Sequence, residues 1–118
     1  MGAWESLLDT PLRIESLPKA IIPQEYSLSQ NYPNPFNPST TIEFTLPISS
    51  FVTLKIYNLL GQEVAILVAD KRAAGIHKLN WNASGLANGV YLYRMEAGDP
   101  RNNSGQVFVQ TKKLILLR

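Results

Sequence analysis

From residue 41 onward, apolar and polar residues alternate in short blocks, the period-two pattern of half-buried strands. Thr41 to Leu46 puts Ile42, Phe44 and Leu46 on one face, with Thr41, Glu43 and Thr45 on the other, and Pro47 ends the block. Phe51 to Asn58 groups Val52, Leu54 and Ile56 opposite Thr53, Lys55 and Tyr57. Leu59-Leu60-Gly61 turns the chain, and Gln62 to Ala69 resumes the pattern with Val64, Ile66 and Val68. Asp70 to Gly75 combines charge, alanine and glycine and reads as a turn. Ile76 to Asn82 aligns His77, Leu79 and Trp81; Ser84 to Gly89 is a loop; Val90 to Ala97 aligns Tyr91, Tyr93 and Met95. Gly98 to Gly105 is a polar hairpin loop, and Gln106 to Arg118 is the last strand.

With an edge strand at Tyr26 to Ser29, the pattern predicts an all-β fold, an immunoglobulin-like antiparallel β-sandwich of about seven strands. No helical blocks separate the strands, which argues against parallel βαβ units. The predicted interior is Ile42, Phe44, Leu54, Ile56, Val64, Ile66, Leu79, Trp81 and Val107. Alternation fixes these faces, because a slip of one residue would turn each of them outward.

The chain ahead of the strands is different. Residues 1–25 read as a linker or cargo remnant, broken by Pro11, Pro18 and Pro23, with room for one helical turn around Trp4, Leu7 and Leu8. Residues 26–118 read as the folded domain. At its start, Asn31-Tyr-Pro-Asn-Pro-Phe-Asn-Pro-Ser-Thr-Thr41 holds three prolines in six residues, Pro33, Pro35 and Pro38. Prolines so placed exclude both helix and a central strand, and the interleaved asparagines favour Asx-type turns. The segment is expected to be a stiff loop with Phe36 packed onto the domain.

Composition narrows the function. The 118 residues fit one domain with a core of its own. A net charge of +2 gives no basic field that would call for nucleic acid. There is no cysteine, so disulfides, thiol chemistry and Cys-ligated zinc are out of reach. Residues 1–10 lack a signal-peptide pattern, so export would require a leader carried by a longer chain.

Candidate chemistry is sparse. His77 is the single histidine, and a general base needs a positioned partner that its neighbours in sequence do not supply. Glu43, Glu63, Asp70, Glu96 and Asp99 are scattered, with no paired carboxylates. Asp99, Asn102 and Asn103 are clustered oxygen donors of the kind calcium takes, but a solvated hairpin loop accounts for them better. Asn82-Ala-Ser84 and Asn102-Asn-Ser104 match the short glycosylation pattern. Trp81, Tyr91 and Tyr93 could form a sugar-stacking platform if exposed, and otherwise belong to the core.

One combination goes beyond what folding requires. The proline-rich opening Asn31 to Ile42 is followed by Val52-Thr-Leu-Lys-Ile-Tyr-Asn-Leu-Leu-Gly-Gln-Glu-Val64, then Ala74-Gly75. After these come Trp81-Asn-Ala-Ser-Gly-Leu-Ala-Asn-Gly-Val-Tyr91 and Thr111-Lys-Lys-Leu-Ile-Leu-Leu-Arg118. In this order, from Tyr26 to Arg118, they resemble the type A C-terminal sorting domain of the type IX secretion system of certain Gram-negative bacteria. That family is similar in fold to the immunoglobulin-like domain of flagellar hook-capping proteins. Asn34, Pro35, Phe36, Asn37, Pro38, Gly61, Gly89 and Tyr91 are the positions that carry the family motif.

The resemblance implies an address label. An N-terminal cargo domain would be led through the outer-membrane translocon, in transit through the periplasm to the cell surface or beyond. A sortase-like peptidase would often remove the label on surface attachment. No catalytic residue, cofactor or metal is implied, and oligomeric state is left open. Longer and more polar than the family leads one to expect, the segment Pro100 to Ser104 departs from it, as do residues 4–24, which have no counterpart. The expected recognition residues are Lys112, Lys113, Leu114, Leu116 and Arg118, in a strand whose edge could recruit a partner while its lysines limit self-pairing. The alternative is a structural or carbohydrate-binding β-sandwich module of a cell-surface protein.

Overall fold

The computed structural model describes residues 23–98 and 108–118. These form seven strands, with no helix among them: β1 (Ser27–Leu28), β2 (Ser39–Leu46), β3 (Ser50–Tyr57), β4 (Glu63–Arg72), β5 (Gly75–Asn82), β6 (Gly89–Gly98) and β7 (Phe108–Leu116). A three-stranded sheet runs β1-β2-β5 and a four-stranded sheet runs β4-β3-β6-β7. Every pairing within them is antiparallel.

The alternation read from β2 and β3 places the core as expected. Ile42, Phe44 and Leu46 from one sheet meet Val52, Leu54, Ile56, Tyr93, Met95, Leu114 and Leu116 from the other in a single buried cluster. Trp81 joins them, and Val64 and Leu79 pack half-buried against the cluster. Val107 lies outside the described residues, as do residues 1–22 and the Asp99, Asn102 and Asn103 group.

Ile66 departs from expectation: it is 54% exposed. The register explains it. Leu54 pairs with Val68 but Lys55 pairs with Ile66, and Ile56 pairs with Ala65 but Tyr57 with Glu63. Two residues of β4, Leu67 and Val64, are therefore supernumerary. Each bulge inverts the side to which the following residues point, so Ile66 falls on the outer face beside Lys55. The expected turn at Asp70 to Gly75 is also shorter, since β4 continues to Arg72 and pairs there with Ser50. As an edge strand, β4 can carry Asp70, Lys71 and Arg72, and charge on an edge discourages pairing with other chains.

Between β1 and β2 the chain crosses from one sheet to the other. Tyr32 bridges Thr41 antiparallel, extending the three-stranded sheet, and Phe36 then bridges Leu116 in parallel on the four-stranded one. Phe36 is buried, 5.9 Å from Trp81 between ring centroids. The expectation that this loop plugs the sandwich with Phe36 is met.

A buried polar network fixes the crossing. The Tyr93 hydroxyl donates to the Ser29 carbonyl at 2.7 Å and accepts from the Asn31 N–H at 2.8 Å. The Asn31 amide donates to Thr40 Oγ1 at 2.9 Å and to the Pro33 carbonyl at 3.2 Å. Burial pushes the Tyr93 hydroxyl up to about 12 from its ordinary 10, against the lowering effect of the Asn31 N–H. A raised phenol favours the folded state below pH 10 and loses that contribution as pH rises towards 12, because the unfolded chain ionises first. The loss amounts to about 2–3 kcal/mol. Urea unfolding between pH 9 and 12 should show it in the wild type and lack it in Tyr93→Phe. That variant should also be about 1–3 kcal/mol less stable at neutral pH, because two backbone groups lose their partner. Equal pH slopes in the two proteins would refute this account.

Candidate functional site

β7 divides its side chains between the two faces of its sheet. Leu114 and Leu116 point inward and are fully buried. Lys113 and Thr111 point outward and are exposed, whereas Lys112 lies on the inward side and is half-buried. The two lysines therefore occupy opposite faces, as strand geometry requires.

The outer edge of β7 is occupied along its second half. Asn34 Oδ1 accepts the Ile115 N–H at 2.9 Å. The Phe36 N–H donates to the Ile115 carbonyl and the Leu117 N–H donates to the Phe36 carbonyl, each at 3.0 Å. Gln30 Nε2 donates to the Lys113 carbonyl at 2.7 Å. The proline-rich loop thus stands where a partner strand would otherwise pair, and the edge groups of Ile115 to Leu117 are not available for augmentation. Among the described residues, no such contact reaches the outer side of β7 at Val109 or Thr111.

The other motif positions serve the fold. The Pro38 carbonyl accepts the Ala83 N–H at 2.9 Å, and the Tyr91 hydroxyl donates to the Ala87 carbonyl at 2.7 Å. Gly89 pairs with Leu116 at the start of β6, while Pro35 and Asn37 are exposed on the loop. The Arg118 N–H donates to Asn88 Oδ1 at 3.1 Å, and its guanidinium reaches the Leu86 carbonyl. Gly61 has a φ of +85°, a left-handed conformation that a side chain disfavours.

The outer face of the four-stranded sheet carries charge and a shallow groove. Lys55 sits in register between Ile66 and Arg94, and Leu92 between Tyr57 and Lys113. Lys55 pairs with Glu63 at 3.3 Å and Arg94 with Glu96 at 3.0 Å. Both pairs are well exposed to solvent, so neither adds much stability. Tyr57, Gly61, Leu92, Arg94 and Thr111 line a groove of about 310 Å³.

His77 is the candidate base, and its surroundings are those of a packed side chain. His77 is half-buried, stacks on Phe44 at 5.0 Å, and places Nε2 2.8 Å from the Ala73 carbonyl. No group of metal-ligating side chains occurs among the described residues. Trp81, Tyr91 and Tyr93 are buried, so they cannot form the exposed platform that a carbohydrate-binding module requires. Sequence reasoning did not identify Gln30 and Asn34 as partners of β7, because no local pattern marks edge contacts 83 and 81 positions away.

A family model described as a secretion system C-terminal sorting domain matches residues 30–116. No curated protein matches the chain. Among solved structures, dimeric latent PorU from Porphyromonas gingivalis is similar, with a TM-score of 0.62 and 22% identity. The match covers 79% of this chain and 9% of that one, a likeness of fold.

Proposed function

Because this chain belongs to the family of type IX secretion C-terminal sorting domains, we propose that the translocon reads it through the outward side of β7, with Lys113 as the principal contact. Domains of this family are sorting signals, and the proteins that carry them are exported to the cell surface or the extracellular space. In the proposed division of labour, residues 26–118 are the label and residues 1–25 the connection to an N-terminal cargo domain. The label folds in the periplasm, engages the translocon, and is removed by a sortase-like peptidase.

The observation that carries this reading is the partition of the last strand. Leu114 and Leu116 are sealed in the core, so they support recognition only by holding the strand in place. Lys113 projects beside the groove and makes no ion pair among the described residues. Lys112 faces inward and should matter less, and Arg118 is engaged with Asn88 and Leu86.

The test is a fusion of the whole chain to a reporter with a signal peptide, expressed in a type IX-secreting bacterium. Lys113→Ala, an exposed substitution, should leave the unfolding free energy within about 0.5 kcal/mol of wild type, and Lys112→Ala/Lys113→Ala should still unfold cooperatively while the reporter stays in the periplasm. Lys113→Ala alone should reproduce most of the defect. Export of the double variant at the wild-type level would sink the proposal.

A further inference from the structure

The turn between β3 and β4 is held more firmly than a connection requires. Asn58 Oδ1 accepts the N–H groups of Leu60 at 2.9 Å and Gln62 at 3.0 Å. The Asn58 amide donates to Gln62 Oε1 at 2.7 Å. On the backbone, the Asn58 N–H meets the Gln62 carbonyl and the Gly61 N–H meets the Asn58 carbonyl, each at 3.0 Å. Asn58, Gly61, Gln62 and the backbone N–H of Leu60 supply all of this. Leu59 and Leu60 contribute no side-chain contact to it, yet they are 67% and 84% exposed. Turn tips are ordinarily polar, so two adjacent leucines on a rigid tip serve something other than the turn.

Their setting indicates what that is. The turn adjoins the groove lined by Tyr57, Gly61, Leu92, Arg94 and Thr111, and Leu92 stands next to Lys113 in register. The leucines are thus continuous with the surface assigned above to recognition. The cations bordering it, Arg94, Lys55 and Lys113, outnumber the acids Glu63 and Glu96 that pair with two of them. We propose that the Asn58–Gln62 turn is a second docking element, in which Leu59 and Leu60 enter an apolar recess with an acidic rim on a protein of the export apparatus. A tip already fixed by five hydrogen bonds loses little freedom on entering such a recess. This inference rests on the sorting reading and adds a contact to it.

The experiment uses the same reporter fusion with Leu59→Ser/Leu60→Ser. The control is Ile76→Ser, on the other sheet and 55% exposed. Both variants should unfold at the wild-type denaturant concentration. The secreted fraction should fall about tenfold or more for the leucine pair, the equivalent of one leucine burial lost, and stay at the wild-type level for Ile76→Ser. If wild type is exported and the leucine pair is exported equally, this docking element is wrong and the sorting reading stands. If wild type itself stays in the periplasm, the sorting reading fails and takes the inference with it.

Two further measurements identify the occupant. Sedimentation of the chain with and without the double substitution would overturn the proposal if it showed a dimer that the serines dissociate. So would binding to phosphatidylglycerol vesicles that the serines abolish. A monomer that ignores the vesicles supports a protein recess.

Discussion

Phe36→Ala should lower the stability of the domain by about 3–5 kcal/mol, the range for a fully buried phenylalanine. Phe36 is 2% exposed and reaches the core from a loop held by three prolines rather than from a strand. The substitution removes the ring beside Trp81 and leaves a cavity where the two sheets meet. The pairing of residue 36 with Ile115 and Leu117 uses main-chain atoms alone, so alanine keeps those donors and acceptors. Urea unfolding of the variant measures the loss, and a midpoint equal to wild type would show that the loop is ornamental.

A comparable effect is expected at the other side of that contact. Leu116→Ala should cost about 2–5 kcal/mol, because Leu116 is fully buried and bridges Phe36. Both belong to one buried cluster, and neighbours in such a cluster do not behave independently. The double variant Phe36→Ala/Leu116→Ala should therefore lose less than the sum of the single losses, by at least about 0.5 kcal/mol. Strict additivity would mean that the loop and the strand stabilise the domain separately. Deleting residues 114–118 removes two core leucines together. Its effect on export would report unfolding first, which makes the lysine and turn-leucine variants the informative ones.

Most of the sandwich was legible in the alternation of β2, β3, β5 and β6, because a sheet with one buried face imposes that pattern directly. Phe36 was legible for a different reason: an aromatic residue among prolines has no local structure to serve. Ile66 was not, since a bulge changes the facing of a strand without changing its composition. Asp70 to Arg72 looked like a turn because charge is common in turns, and an edge strand carries charge for its own reason. The site was legible only in part. Lys112 and Lys113 stood out together as charged positions beside an apolar run, and which of them faces outward came only from the strand's register. The closure of the β7 edge by Gln30 and Asn34, and the exposure of Leu59 and Leu60, depend on where distant segments come to lie.

The contact of Asn34 with Ile115 spans 81 positions of sequence, and this has a consequence for how the domain is made. Contacts of such separation close late, after local strand pairs have formed. The loop at residues 30–38 has no edge to sit on until Ile115 and Leu117 have been synthesised. A polypeptide interrupted upstream of Leu114 would leave Phe36 without its seat and β6 with one side unpaired. The closed edge thus marks a chain synthesised at least through Leu117. A translocon that engages only the closed form would discriminate against incomplete translation products with no separate inspection step.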